Sequence, residues 1–104
     1  MVMKTIPTTS IGTGVTLIYS ITTGRVATIK QLSFTNAAGA NRTVHIYDSS
    51  SATGSDREIF RLIIYPNETF IPAEVMNRKA RLGYITAKTD EGTEVSVDGY
   101  LDEE

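Results

Sequence analysis

Residues 80–101 read ARLGYITAKTDEGTEVSVDGYL, and their pattern decides the fold. Val95, Val97 and Leu101 alternate with Glu94, Ser96 and Asp98. A period of two puts one set on a core face and the other in water, as in a half-buried strand. Residues 80–88 offer a second strand. Thr89, Asp90, Glu91 and Gly92 lie between the two, with the glycine able to take the positive backbone angle that a tight reversal needs. The spacing therefore predicts an antiparallel hairpin.

Upstream, residues 59–65 (IFRLIIY) are apolar except for Arg61, which predicts a strand covered on both sides. A turn at Pro66, Asn67 and Glu68 follows, then a short strand from Thr69 to Ile71 and one helical turn at residues 73–76. Residues 42–48 set Val44 and Ile46 against His45 and Tyr47, which predicts another half-buried strand. In residues 26–36 the apolar phase changes, from Ala27 and Ile29 to Leu32 and Phe34. Such a shift predicts a β-bulge near Lys30 and Gln31. Residues 14–21 carry Val15, Leu17 and Tyr19 on one side and Ile18 on the other. Residues 49–56 are small and polar and include Gly54, so an exposed, mobile loop is expected there.

These segments make about seven short strands, with no helix long enough for a crossover. The expected fold is all-β: a single antiparallel β-sandwich of jelly-roll or immunoglobulin-like type, with Phe34, Ile46, Leu62 and Val97 in its core. Composition agrees, since 11 Ile, 7 Val and 15 Thr outweigh 5 Leu, and β-branched side chains favour a pleated surface. A chain of 104 residues supports one core, so residues 1–104 are read as one domain. Residues 1–11 are expected to be flexible, and the acidic end, residues 102–104, to extend beyond the last strand.

Without cysteine there is no disulfide and no thiolate ligand. No run approaches the roughly 20 apolar residues of a membrane span, and the N-terminus lacks the apolar stretch of a signal peptide. A soluble protein made in the cytoplasm is expected. The formal net charge of −2 hides a division. Residues 1–88 hold 10 basic and 5 acidic side chains, whereas residues 89–104 hold 7 acidic and none basic. Arg78, Lys79 and Arg81 form a positive patch complementary to Asp102, Glu103 and Glu104, and these six are the candidate partner-contact residues.

Residues that could carry chemistry do not assemble into a set. His45 is the only histidine and has no local nucleophile or second imidazole, so a structural role is expected. Asp90, Glu91, Glu94 and Asp98 lack the spacing of a calcium loop and read as a solvated turn. Gly12, Thr13 and Gly14 are too short a match to a phosphate loop. The basic patch lacks the stacking aromatics of a single-strand nucleic-acid groove. No acid, base and nucleophile can be named together, which argues against an enzyme, and no metal or other cofactor is implied.

Three stretches resemble the small β-sandwich virion proteins of tailed bacteriophages: GRVATIKQLSFTNAAGANRTVHIYD (residues 24–48), YPNETFI (residues 65–71) and EVSVDGYLDEE (residues 94–104). The resemblance spans most of the chain through loose patterns. It implies a head-decoration, neck or tail component located in the virion, which binds copies of itself and neighbouring virion proteins without chemistry. The acidic end departs from the pattern. The alternative is a carbohydrate-binding sandwich module, for which Tyr19, Tyr47, Tyr65, Tyr84 and Tyr100 would have to supply the platform because tryptophan is absent.

Overall fold

The computed structural model describes residues 2–104. Nine strands run β1 Val2–Ile11, β2 Thr16–Ser20, β3 Ala27–Asn36, β4 Arg42–Ser49, β5 Arg57–Ile64, β6 Thr69–Phe70, β7 Lys79–Ala80, β8 Tyr84–Thr89 and β9 Val95–Glu103 among the described residues, with a 3-10 turn at Ala73–Val75. The first sheet has the order β1-β9-β3-β6, with β7 sharing the outer side of β3; the second has the order β2-β8-β4-β5. Every pairing is antiparallel. The chain passes from one sheet to the other at each step from β1 to β4, again from β5 to β6, and again from β7 through β8 to β9. Two interleaved four-position sheets of this kind form a jelly roll.

The core lies between the two sheets. Ile6, Ile11, Ile29, Leu32, Phe34 and Val97 from the first meet Val44, Ile46, Ile64 and Ile85 from the second. Phe34, Ile46, Leu62 and Val97, the four expected core residues, are all buried. The bulge read from the phase change in residues 26–36 is present, because the register of β3 against β9 shifts between Ile29 and Gln31.

The bulge presses on one glycine. A Cβ built on Gly99 of β9 would lie 2.0 Å from the Gln31 carbonyl oxygen and 3.1 Å from the Leu32 Cα. Gly99 also faces the other irregularity of this sheet, as the partner of Ile6, where the β1 register breaks before Thr9. Glycine is the residue that lets both neighbouring backbones close on β9.

Four expectations are corrected. The segments around residues 80–101 are strands, but they do not pair as a hairpin. β8 lies between β2 and β4, and β9 between β1 and β3. Alternation identifies the buried face of a strand but not its neighbour, and here residues 90–94 cross from one sheet to the other. The expected strand over residues 80–88 is itself split, since Lys79–Ala80 joins β3 before Gly83, at φ 124°, turns the chain into β8.

The N-terminal segment, expected to be flexible, is the edge strand β1 from Val2 onward; Met1 lies outside the described residues. Ile6 and Ile11 anchor it in the core, and its ladder runs from Val2↔Glu103 to Ile11↔Val95. β5, expected to be covered on both sides, is an edge strand with Leu62 and Ile64 buried and Arg61 and Ile63 exposed. The loop after β4 is exposed as expected, at Ser50, Ser51, Thr53, Ser55 and Asp56, and it is tied at several points. Asp56 accepts the Ser50 N–H at 3.1 Å, and the Thr86 hydroxyl donates to the Gly54 carbonyl at 2.8 Å.

A basic cleft as candidate functional site

Strand registers place Asp48, Arg57 and Tyr84 together at one end of the second sheet, and hydrogen bonds from Arg81 and Leu82 to Asp48 bring the end of β7 there. The frame of this end is the Asp48 carboxylate, which is fully buried. It accepts the Arg81 N–H at 3.1 Å, the Leu82 N–H at 3.0 Å and the Arg57 guanidinium at 2.9 Å. One acid therefore pins the β7–β8 connection and the start of β5 to the end of β4. Such a set of partners offsets the cost of taking a charge out of water.

Further bonds shape the neighbouring segment. Arg57 also donates to the Lys79 carbonyl at 3.3 Å, and Arg78 Nε donates to the Glu74 carbonyl at 3.1 Å. Asn77 takes a left-handed φ of 68°, gives its N–H to the Ile29 carbonyl at 2.7 Å and accepts Lys30 Nζ at 3.3 Å. Arg57, Arg78, Lys79 and Arg81 consequently line an open cleft of about 410 Å³, with Glu58, Ile59 and Asn77.

Among the described residues, Arg78, Lys79 and Arg81 form no ion pair. Arg57 pairs with Asp48, while Glu58 turns its carboxylate to His45 Nδ1. Guanidinium and ammonium groups are donors without acceptor capacity. Their convergence suits carboxylates or other anions, with the planar arginine forks adding directionality.

The acidic half of the sequence patch behaves differently. Asp102 and Glu103 belong to β9 and are buried, so they do not extend past the last strand; Glu104 alone is exposed. Lys30 lies 3.7 Å from Asp102. Glu103 receives the Tyr19 hydroxyl, the Thr22 N–H at 2.8 Å and the Thr22 hydroxyl at 3.1 Å. Asp90, Glu91, Glu94 and Asp98 are also occupied. Arg42 binds Glu94 at 2.8 Å and Glu91 at 3.6 Å, Asp90 accepts the Thr43 N–H at 3.0 Å, and the Thr8 hydroxyl donates to Asp98 at 3.3 Å. The acidic residues of positions 89–104 are thus dispersed through the fold and do not gather at one end.

Burial pushes the Glu103 carboxyl up, but hydrogen bonds from Tyr19 and Thr22, with Lys4 nearby, outweigh it and hold the group below the usual range. Tyr19 is raised by burial and by its contact with Glu103. A carboxyl depressed in the folded state adds stability above its unfolded value and loses it as pH falls through the folded one. Glu103→Gln is therefore expected to be less stable than wild type at neutral pH. The gap should narrow as pH drops below about 4.3, the ordinary glutamate value. Urea unfolding from pH 7 to pH 3 measures this; a gap unchanged with pH would contradict it.

The other residues weighed in the sequence are spread out. His45 stacks on Tyr47, with ring centroids 6.2 Å apart, and contacts Glu58. Of the tyrosines, Tyr19 packs against the core, Tyr47 is buried beside His45, Tyr84 is half-buried, and the exposed Tyr65 and Tyr100 lie apart, one just past the end of β5 and the other on β9. No group of three His, Cys, Asp or Glu side chains suited to a metal occurs among the described residues.

Arg57 is the cleft residue that sequence reading missed. It lies 21 positions before Arg78, and only the β4–β5 pairing and Asp48 bring it there. Protein-family models, curated proteins and solved structures contain no match to this chain, so the cleft is interpreted from its own residues.

Proposed function

We propose that this chain is a non-catalytic structural and assembly protein, a bacteriophage virion component of the capsid-decoration, neck or tail kind, which binds copies of itself or neighbouring virion proteins. The observation that supports the reading is the basic cleft. Arg42, Lys30 and Arg57 are matched by carboxylates of the same chain, whereas Arg78, Lys79 and Arg81 stand together unmatched. A rigid frame holding uncompensated cations at its rim provides an outward contact surface. The resemblance of residues 24–48, 65–71 and 94–104 to small virion sandwiches supplies the class of partner. The cleft replaces the acidic end as the proposed contact, with an acidic protein surface as its complement.

Exposed charges are screened over about 8 Å at physiological ionic strength, so capture through the cleft should weaken as salt rises. The triple variant Arg78→Glu, Lys79→Glu, Arg81→Glu is expected to lose capture of virion proteins by roughly tenfold or more. It should keep the wild-type circular dichroism spectrum. Immobilised wild type that retains no virion protein at low salt would defeat the reading, as would a triple variant that captures them equally well.

A further inference from the structure

We propose that the free edge of β5 pairs with β5 of a second copy, antiparallel about a two-fold axis at Leu62, joining two four-stranded sheets into one of eight strands. This deepens the assembly reading and rests on it, but the surface is distinct from the basic cleft.

The sheet edges differ in how they are guarded. β1 contains Pro7, which has no N–H to give, and its register breaks between Ile6 and Thr9. β2 has five residues and a shift between Leu17 and Tyr19. β6 and β7, which share the other edge of the first sheet, have two residues each. Prolines, irregularities, short length and charged side chains are the devices that stop an edge from recruiting another strand, and of these β5 carries charges at Arg57, Glu58 and Arg61.

β5 has eight residues and none of Pro, Gly or Lys. Its one register shift lies beyond Phe60, and from Phe60 to Ile64 the strand pairs regularly with β4 through Ile46↔Phe60, Val44↔Leu62 and Arg42↔Ile64. The backbone groups along its outer side form a template that another strand satisfies. Ile63 is 54% exposed on this strand, and Thr43, Arg61, Leu62 and Ile63 line an open groove of about 540 Å³.

The sequence of the edge selects the second copy. Core-facing residues must oppose core-facing residues across a two-fold pairing, so the axis falls on a residue and not between two. An axis at Arg61 sets two guanidinium groups face to face. At Phe60 it draws in the shifted start of the strand, and at Ile63 it sets Pro66 opposite Phe60. With the axis at Leu62, Arg61 lies opposite Ile63 and Phe60 opposite Ile64, so the regular stretch pairs only with itself and Pro66 falls beyond it, opposite Glu58. This register sets no like charges directly opposite each other, and the strand complements itself.

Because each Ile63 faces the other copy's Arg61, substitutions there read the register directly. Wild type is expected to dimerise with concentration in sedimentation velocity. Ile63→Arg places like charges opposite each other twice and should weaken the dimer by roughly tenfold or more, whereas Ile63→Glu should retain it and make it more sensitive to salt. The cleft triple variant should dimerise as wild type does. A wild type that stays monomeric up to millimolar concentration overturns the edge pairing, while capture of virion proteins through the cleft would still uphold the assembly reading. A dimer indifferent to both Ile63 substitutions, or weakened equally by both, also overturns the proposal.

Discussion

Gly99→Ala is expected to lower the unfolding free energy by about 3 kcal/mol, at the upper end of overpacking costs. The added methyl would sit 2.0 Å from the Gln31 carbonyl oxygen and 2.9 Å from its carbonyl carbon. Both belong to the backbone of β3 at its bulge, so no rotamer change relieves the clash. β9 must draw away from β3, or the bulge must move and carry Leu32 and Phe34 out of register. Gly39→Ala is the matched control. Nothing lies within 4 Å of its added Cβ, and the substitution narrows the unfolded ensemble, so a neutral or slightly stabilising effect is expected. Urea midpoints of the two variants against wild type decide the matter. If Gly99→Ala unfolds at the wild-type midpoint, the close approach of β3 and β9 is not a real constraint.

Asp48→Ala is expected to cost about 2–5 kcal/mol, because two main-chain donors lose their acceptor at about 1–3 kcal/mol each. The fully buried carboxylate serves the Arg81 and Leu82 N–H groups and the Arg57 guanidinium. Its removal strands two main-chain donors and releases the β7–β8 connection from β4, so the cleft opens as the fold weakens. Asp48→Asn keeps an acceptor oxygen and should lose less. Arg57→Ala should lose less again, because its side chain is 56% exposed and the carboxylate keeps its main-chain donors. Denaturant unfolding of all three should give that order. An alanine variant as stable as Arg57→Ala would show that Asp48 does not hold this end together.

What could be read from the sequence followed from local pattern. The bulge appeared as a phase change between Ile29 and Leu32, and the core residues Phe34, Ile46, Leu62 and Val97 as alternation, because both are properties of one strand and its two faces. Pairing depends on the whole chain. The alternation of residues 94–101 fits a hairpin with residues 80–88 as well as it fits a place between β1 and β3, so the partner could not be read locally. β1 was obscured by its many threonines and Pro7, with only Ile6 and Ile11 as buried anchors. Arg78, Lys79 and Arg81 were visible as a cluster because they are close in sequence. The buried structural roles of Asp48 and Glu103 were not. A charged residue in a strand reads as solvated, and what buries these two, Arg57 and Leu82 for one and Tyr19 and Thr22 for the other, comes from distant segments.

β9 is the last of the nine strands to be made, yet it occupies the interior of its sheet, with β1 on one side and β3 on the other. On a ribosome, therefore, β1 and β3 emerge with their shared neighbour still unmade and wait with open flanks while more than half of the sequence is translated. The second sheet can gather earlier, since β2, β4, β5 and β8 all precede residue 90. Completion of the first depends on a pairing between Val2 and Glu103 at nearly opposite ends of the sequence. Closing so long a loop before any contact rewards it makes the final step slow and leaves unpaired strands exposed in the interval. The order of synthesis thus sets the period during which the unfinished chain is most prone to aggregate.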